Sequence, residues 1–176
     1  SKLYTVDVVE KITKLHLPRY ILGDLLKEDL VPDKKYKKII ENLELVGRLN
    51  KGGNFIGFCK SNLFKRLESS GASFLKSLYR HILRDSIYIY ALENKLEIPL
   101  GSQDSGLFDT FYNDNDNSYI DEDGNFDELK LFSDKDFSLE TIRDLATKVY
   151  TEYEMNHKDK FTWLPYDYFK KKKKMR

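Results

Sequence analysis

Residues 55–96 read FIGFCKSNLFKRLESSGASFLKSLYRHILRDSIYIYALENKL, the longest periodic stretch in the chain and the one that decides its fold. Leu63, Leu67, Phe74, Leu78, Ile82, Ile89 and Leu96 recur at three-, four- and seven-residue spacings. On a helix these positions stack into one apolar stripe, roughly a third of the circumference wide. A single long helix over 55–96 is expected, with Lys65, Lys76, Arg80 and Arg84 on the opposite arc. Gly71 costs about 1 kcal/mol relative to Ala in a helix interior. Next to Ser69 and Ser70, it marks a bend or a close helix crossing.

Upstream, Val6, Val9, Ile12 and Leu15 have helical spacing until Pro18 breaks it, so a short helix over 5–16 is expected. A second helix starts at Pro18 and buries Ile21, Leu22, Leu25 and Leu26 up to about Leu30. Pro32 and Asp33 open a third, with Tyr36, Ile39, Ile40, Leu43 and Val46 inward and Gly47 placed as its cap. The turn residues Asn50–Asn54, NKGGN, separate this group at 1–50 from the long helix. Downstream, Pro99 and Gly101 end the long helix near Leu96.

From 101 to 137 no period persists, and this acidic stretch is expected to be a long loop or arm. Ser138 has the chemistry of an N-cap for a return helix over Leu139, Ile142, Leu145, Ala146, Val149, Tyr150 and Tyr153. The segment FTWLPYDYF follows, gathering Trp163 and further aromatic rings around Pro165, then a short helix into the lysine run. The expected fold is all-α: one irregular helical bundle over 1–176, organised on the long helix, with an acidic loop at 101–137 and return helices at 138–170.

Composition fits one domain with a real core. Apolar content of 40 % suits a globular chain, while 34 % charged residues suits long helices with salt-bridged outer faces. The net charge of +1 gives no bulk preference for a partner of either sign. Cys59 is the single cysteine, which rules out an internal disulfide. With no signal-peptide pattern and no apolar run long enough to span a bilayer, a reducing, cytoplasmic setting without membrane contact is expected. The chain begins without Met and ends in a lysine run, as a piece of a longer protein would.

Chemical motifs are sparse. No phosphate-binding GxxxxGK[ST] is present, since Gly52 and Gly53 precede Asn54 and Phe55. The run DEDG at Asp121–Gly124 follows Tyr119 and Ile120 rather than a buried hydrophobic strand, so it reads as a solvated acidic loop and not as a Mg²⁺ motif. It also fails the calcium-loop register: with Gly124 at the sixth position, Tyr119 and Lys130 fall where carboxylates are needed. His16, His81 and His157 are far apart and form no local metal pair. His81 is expected to be packed or capping, and Cys59 to be a structural thiol. No catalytic, cofactor-binding or metal-binding residue is therefore assigned, and an autonomous metal-dependent hydrolase using the acidic loop is disfavoured.

The basic arc is the better candidate. At about 100° per residue, Lys65, Ser69, Ser73, Lys76, Arg80 and Arg84 lie close together on one long helix. Such a row can follow a phosphate backbone, with the serines as donors. It can equally be a solvated face, because Glu68, Asp85 and Glu93 share the helix.

The residues SNLFKRLESSGASFLKSLYRHILRD, continuing through ALENKLEIPLGSQDSGLFD, resemble a block of bacterial superfamily-two DNA helicases of the Swi/Snf-like type. In that family the block lies between the two RecA-like ATPase lobes. LFKRLESS at Leu63–Ser70 is its most specific part, and PLGSQDSG at 99–106 is a second matching piece. LHLPRYIL resembles the entry into the insertion, and KFTWLPYDYFKK resembles the exit toward the second lobe. The acidic stretch 113–137 has no counterpart.

The resemblance implies a parent protein that uses ATP and Mg²⁺ to move on DNA. This fragment itself lacks the phosphate loop, the acidic Mg²⁺ motif and the arginine finger, so no enzymatic activity is expected of it. Its implied partners are DNA and the flanking lobes, contacted through Lys65, Arg66, Lys76, Arg80 and Arg84 as phosphate or lobe-docking residues. Arg66 lies off the basic arc and can instead pair with an acidic neighbour. The rival expectation is a helical protein-interaction module that does not bind nucleic acid.

Overall fold

The computed structural model describes residues 6–14, 18–51, 54–101 and 139–170. In chain order these form α1 (Val6–Thr13), a 3₁₀ helix (Pro18–Leu25), α2 (Lys37–Lys51), α3 (Asn54–Ser69), α4 (Gly71–Glu93) and β1 (Ile98–Gly101). After residue 138 come α5 (Leu139–Asn156), a 3₁₀ turn (Lys158–Lys160), β2 (Phe161–Leu164) and a last 3₁₀ turn (Tyr166–Tyr168). The expected acidic loop beyond Gly101, its DEDG run, the Ser138 cap and Gly52–Gly53 lie outside the described residues.

The fold is mostly helical, but the expectation of one long helix needs correcting. The stretch forms two helices divided at Ser70. The Ser70 amide donates to Arg66 O at 2.8 Å, and its carbonyl accepts from the Phe74 amide at 3.0 Å. Ser70 therefore closes α3 and opens α4, a place where serine is favoured and where Gly71 weakens any continuation.

The break separates two packing environments. Leu63, Leu67 and Phe74 are buried in a small cluster with Ile12 of α1, flanked by Val8, Phe64 and Leu78. Farther along α4, Leu83, Ile87, Tyr88 and Ala91 enter the main core instead. By helix geometry this second face is rotated roughly a third of a turn from Phe74 and Leu78. Ile89, expected in the buried stripe, is consequently 42 % exposed.

The partner that takes the rotated face is α5, which packs along α4. Ile142, Leu145, Ala146, Val149, Tyr150 and Tyr153 are all buried, as their spacing implied. The end of α4 turns sharply: Leu96 N–H reaches Ala91 O at 2.8 Å, Lys95 N–H reaches Leu92 O at 3.4 Å, and Lys95 has φ 58°. This paired bonding satisfies the last carbonyls through a left-handed residue. Lysine there costs about 1–2 kcal/mol that glycine would not.

The turn delivers Ile98–Gly101 into a small two-stranded sheet, an addition to the mostly helical fold that was expected. β1 pairs antiparallel with β2 in the register Ile98↔Leu164, Pro99↔Trp163, Leu100↔Thr162 and Gly101↔Phe161. FTWL is thus a strand leading to a 3₁₀ turn. Among the described residues each strand pairs on one side only, so Pro99 is tolerated without its N–H. Tyr150 locks the sheet to α5: its hydroxyl donates to Glu97 O at 2.9 Å, and its ring meets Trp163 edge-on at 5.7 Å. Burial, assisted by Glu154, Glu97 and Tyr90, pushes the Tyr150 hydroxyl well above the usual phenol range. Trp163 Nε1 donates to Lys158 O at 2.8 Å, and Phe161 stacks on Tyr153 at 4.3 Å.

The early segment closes against the late one. Leu26 and Phe169 form an antiparallel bridge, with Lys27 N–H to Tyr168 O at 2.9 Å and Lys170 N–H to Leu25 O at 2.7 Å. The Asp33 amide donates to Tyr168 Oη at 2.9 Å, and the Tyr168 ring meets Tyr36 edge-on at 5.8 Å. Leu22, Leu26, Tyr36, Ile40, Leu43 and Val46 all bury in the main core with Tyr168 and Phe169.

The expected second helix to about Leu30 is shorter, a 3₁₀ helix ending at Leu25, because the chain there leaves to form this bridge. Gly47, expected as a cap, lies buried inside α2, where a Cβ would come 3.1 Å from Asp24 Oδ1. At Gly23 the approach is closer still: a Cβ would fall 2.0 Å from Leu43 O and 2.7 Å from its carbonyl carbon. Helix α2 can lie this close only because residue 23 has no side chain.

Gly23→Ala should therefore cost about 3 kcal/mol or more, because the atoms it meets are backbone and the helix must move. Gly47→Ala, which meets the end of a movable side chain and gains helix propensity, should change stability by less than about 1 kcal/mol. Urea denaturation of the two variants checks this ordering.

Candidate nucleic-acid interface

The five basic residues singled out by sequence divide between two helices. Lys65 is exposed on α3, while Arg66 in the last turn of that helix is half-buried and already engaged by neighbours. Lys76 and Arg80 lie on α4, with side chains outside what is described. Because α3 and α4 are separate helices, Lys65 and Ser69 no longer share a continuous arc with the α4 residues.

Arg84 must be corrected outright as a surface phosphate contact. It is 5 % exposed and sits on the buried side of α4 among the positions of Leu83, Ile87, Tyr88 and Ala91. The break resets the phase of the buried face, and Arg84 falls inside the new one. It has interaction partners there, as does His81, which is 8 % exposed and packed as its position implied. Buried in this way, its guanidinium is not presented to a ligand on the surface.

The other candidates resolve simply. The side chain of Cys59 and all of His16 lie outside the described residues. His157 is half-buried with Nε2 3.7 Å from Glu152 Oε1. Among the described residues, no group of three or more His, Cys, Asp and Glu side chains could hold a metal ion, and no helix is long and apolar enough to cross a membrane.

Positive charge is concentrated elsewhere. The sequence KKYKK at Lys34–Lys38 forms the turn that opens α2, and its four lysines are exposed around the buried Tyr36. Lys35 Nζ lies 4.5 Å from the Tyr36 ring centroid, and its contact with Tyr36 raises its affinity for the proton above that of a free lysine. Sequence reasoning passed over this group because it was absorbed into the start of an amphipathic helix. The signal that could have revealed it is the run itself, since acids rather than lysines are favoured in a first helical turn.

No protein-family model, curated protein or solved structure matches this chain.

Arg84→Ala should destabilise the fold by about 3 kcal/mol, through lost packing of a buried side chain and the loss of its interactions. Lys65→Ala should stay within about 0.5 kcal/mol. Chemical denaturation of both variants provides the comparison, and a neutral Arg84→Ala would refute its assignment to the core.

Proposed function

We infer that this chain is the helical insertion between the ATPase lobes of a bacterial, cytoplasmic Swi/Snf-like DNA helicase or translocase. ATP and Mg²⁺ act in the lobes of the parent protein, and the insertion couples their movement to DNA without chemistry of its own. The observation that carries this reading is the pairing of Leu25–Lys27 with Tyr168–Lys170. Leu25–Lys27 begins two residues after LHLPRYIL, and Tyr168–Lys170 lies within KFTWLPYDYFKK, the two pieces that resemble the entry and exit of the insertion. An inserted domain is best tolerated when its chain enters and leaves at one place. Closure of the lobes can then move the domain as a body rather than stretch it.

The interaction-module reading draws on Leu75 and Ile89, which are 38 % and 42 % exposed on α4. Their separation puts them on the same side of the helix, within about 40°. Such a face suits docking to a protein surface, including an ATPase lobe.

The test uses the parent protein. The gene should encode a phosphate loop before this segment and an arginine finger after it. Replacing residues 26–169 by a short Gly/Ser linker should preserve basal ATP hydrolysis, because Leu25 and Lys170 already meet, and should reduce its stimulation by DNA at least tenfold. Missing lobe motifs, or DNA stimulation that survives the replacement, would overturn the reading.

A further inference from the structure

Four lysines crowd the start of α2, where their mutual repulsion and the helix dipole oppose their charge. Lys34 and Lys38 are one helical turn apart, a spacing at which like charges repel. Lys37 and Lys38 lie in the first turn of a helix that carries no acidic residue there, beside the positive end of its dipole. None of Lys34, Lys35, Lys37 and Lys38 makes an ion pair among the described residues. Between Asp33 and Glu41 they are the only charges. On α1, by contrast, Lys11 pairs with Asp7 and Lys14 with Glu10, each one turn apart, as solvated helix faces usually do.

This cluster is held on a built support. The Tyr36 amide bonds Asp33 O at 2.8 Å, the Asp33 amide bonds Tyr168 Oη, and the Tyr36 ring packs edge-on against Tyr168. Lys27, exposed and also outside any ion pair among the described residues, is fixed to the same residue through Tyr168 O. Lys27 and the lysine-rich turn are thus tied through their backbone to the two ends of Tyr168, and all five lysines are exposed where the early and late segments of the chain join.

We propose that Lys27, Lys34, Lys35, Lys37 and Lys38 form a docking surface for the phosphate backbone of duplex DNA; the choice of DNA rests on the function inferred above. Lysine suits this role as a point charge without bidentate geometry. Tyr36, the one aromatic ring in the run, is buried, so no stacking platform for unpaired bases is offered. The contact is therefore to phosphates, independent of base sequence and strongly dependent on salt. Phosphate binding relieves the repulsion among the lysines and places negative charge at the start of α2, where the dipole favours it.

The test is a fluorescence-anisotropy titration of the full chain with a short labelled duplex at several salt concentrations. The variant K34Q/K37Q/K38Q should bind at least about tenfold more weakly, and its log K against log salt slope should fall by about 2–3. K34R/K37R/K38R should restore both values, and K11Q/K14Q should change neither. The triple Gln variant should also melt no lower than the wild type, which separates loss of binding from loss of fold. Undiminished duplex binding by that variant, no duplex binding by the wild type at low salt, or equal displacement by polyglutamate would each overturn the proposal. Lobe motifs in the flanking gene together with any of those results would reject this surface while leaving the insertion reading intact.

Discussion

The antiparallel contact of Leu25–Lys27 with Tyr168–Lys170 closes the fold. It joins segments far apart in the chain; the Asp33–Tyr168 hydrogen bond that accompanies it spans 135 residues. Closing so long a loop costs entropy, although that cost rises only with the logarithm of length. Burial of Leu26 and Phe169, 4 % and 3 % exposed, opposes the cost. Tyr168 adds a second anchor, because its ring packs on Tyr36 and its hydroxyl takes the Asp33 amide. The lysine-rich turn, the 3₁₀ helix and β2 all take their positions from this contact. The Lys170–Glu28 ion pair lies outside it at 3.1 Å, largely exposed, and adds little.

Around this closure the chain builds two cores. One is small and local, joining α1 to the α3–α4 junction through Ile12, Leu63, Leu67 and Phe74. The other runs from the 3₁₀ helix and α2 through α4 and α5 to the sheet. Helix α4 belongs to both, and the interruption at Ser70 lets its first turns serve one and its later turns the other. Helix α4 therefore joins the two clusters physically, contributing Phe74 to one and Leu83, Ile87, Tyr88 and Ala91 to the other.

The helices were legible in sequence because their apolar positions repeat within each element. Ile142, Leu145, Ala146, Val149, Tyr150 and Tyr153 lie on one face of α5 and are buried as that face required. The sheet was not legible. Ile98–Gly101 is buried throughout and so shows no alternation, and its partner, FTWL, is short and lies beyond residue 138. The phase error at Arg84 has a related cause: a period fixes which residues share a face, but only the packing partner fixes which face is buried. Lys65 was correctly read as exposed, since α3 is packed on Leu63 and Leu67. The lysines at 34–38 were visible as letters, and the absence of ion pairs to them among the described residues became meaningful only when Tyr36 and Tyr168 were seen to hold them in place.

Native-state amide hydrogen exchange at Lys27 and Lys170 tests the closure most directly. Their amides bond Tyr168 O and Leu25 O, so both should exchange as slowly as the buried centre of α5, through the same cooperative unfolding. Exchange of either amide at the rate of a frayed chain end, with α5 still protected, would contradict a fold closed by the pairing of its early and late segments.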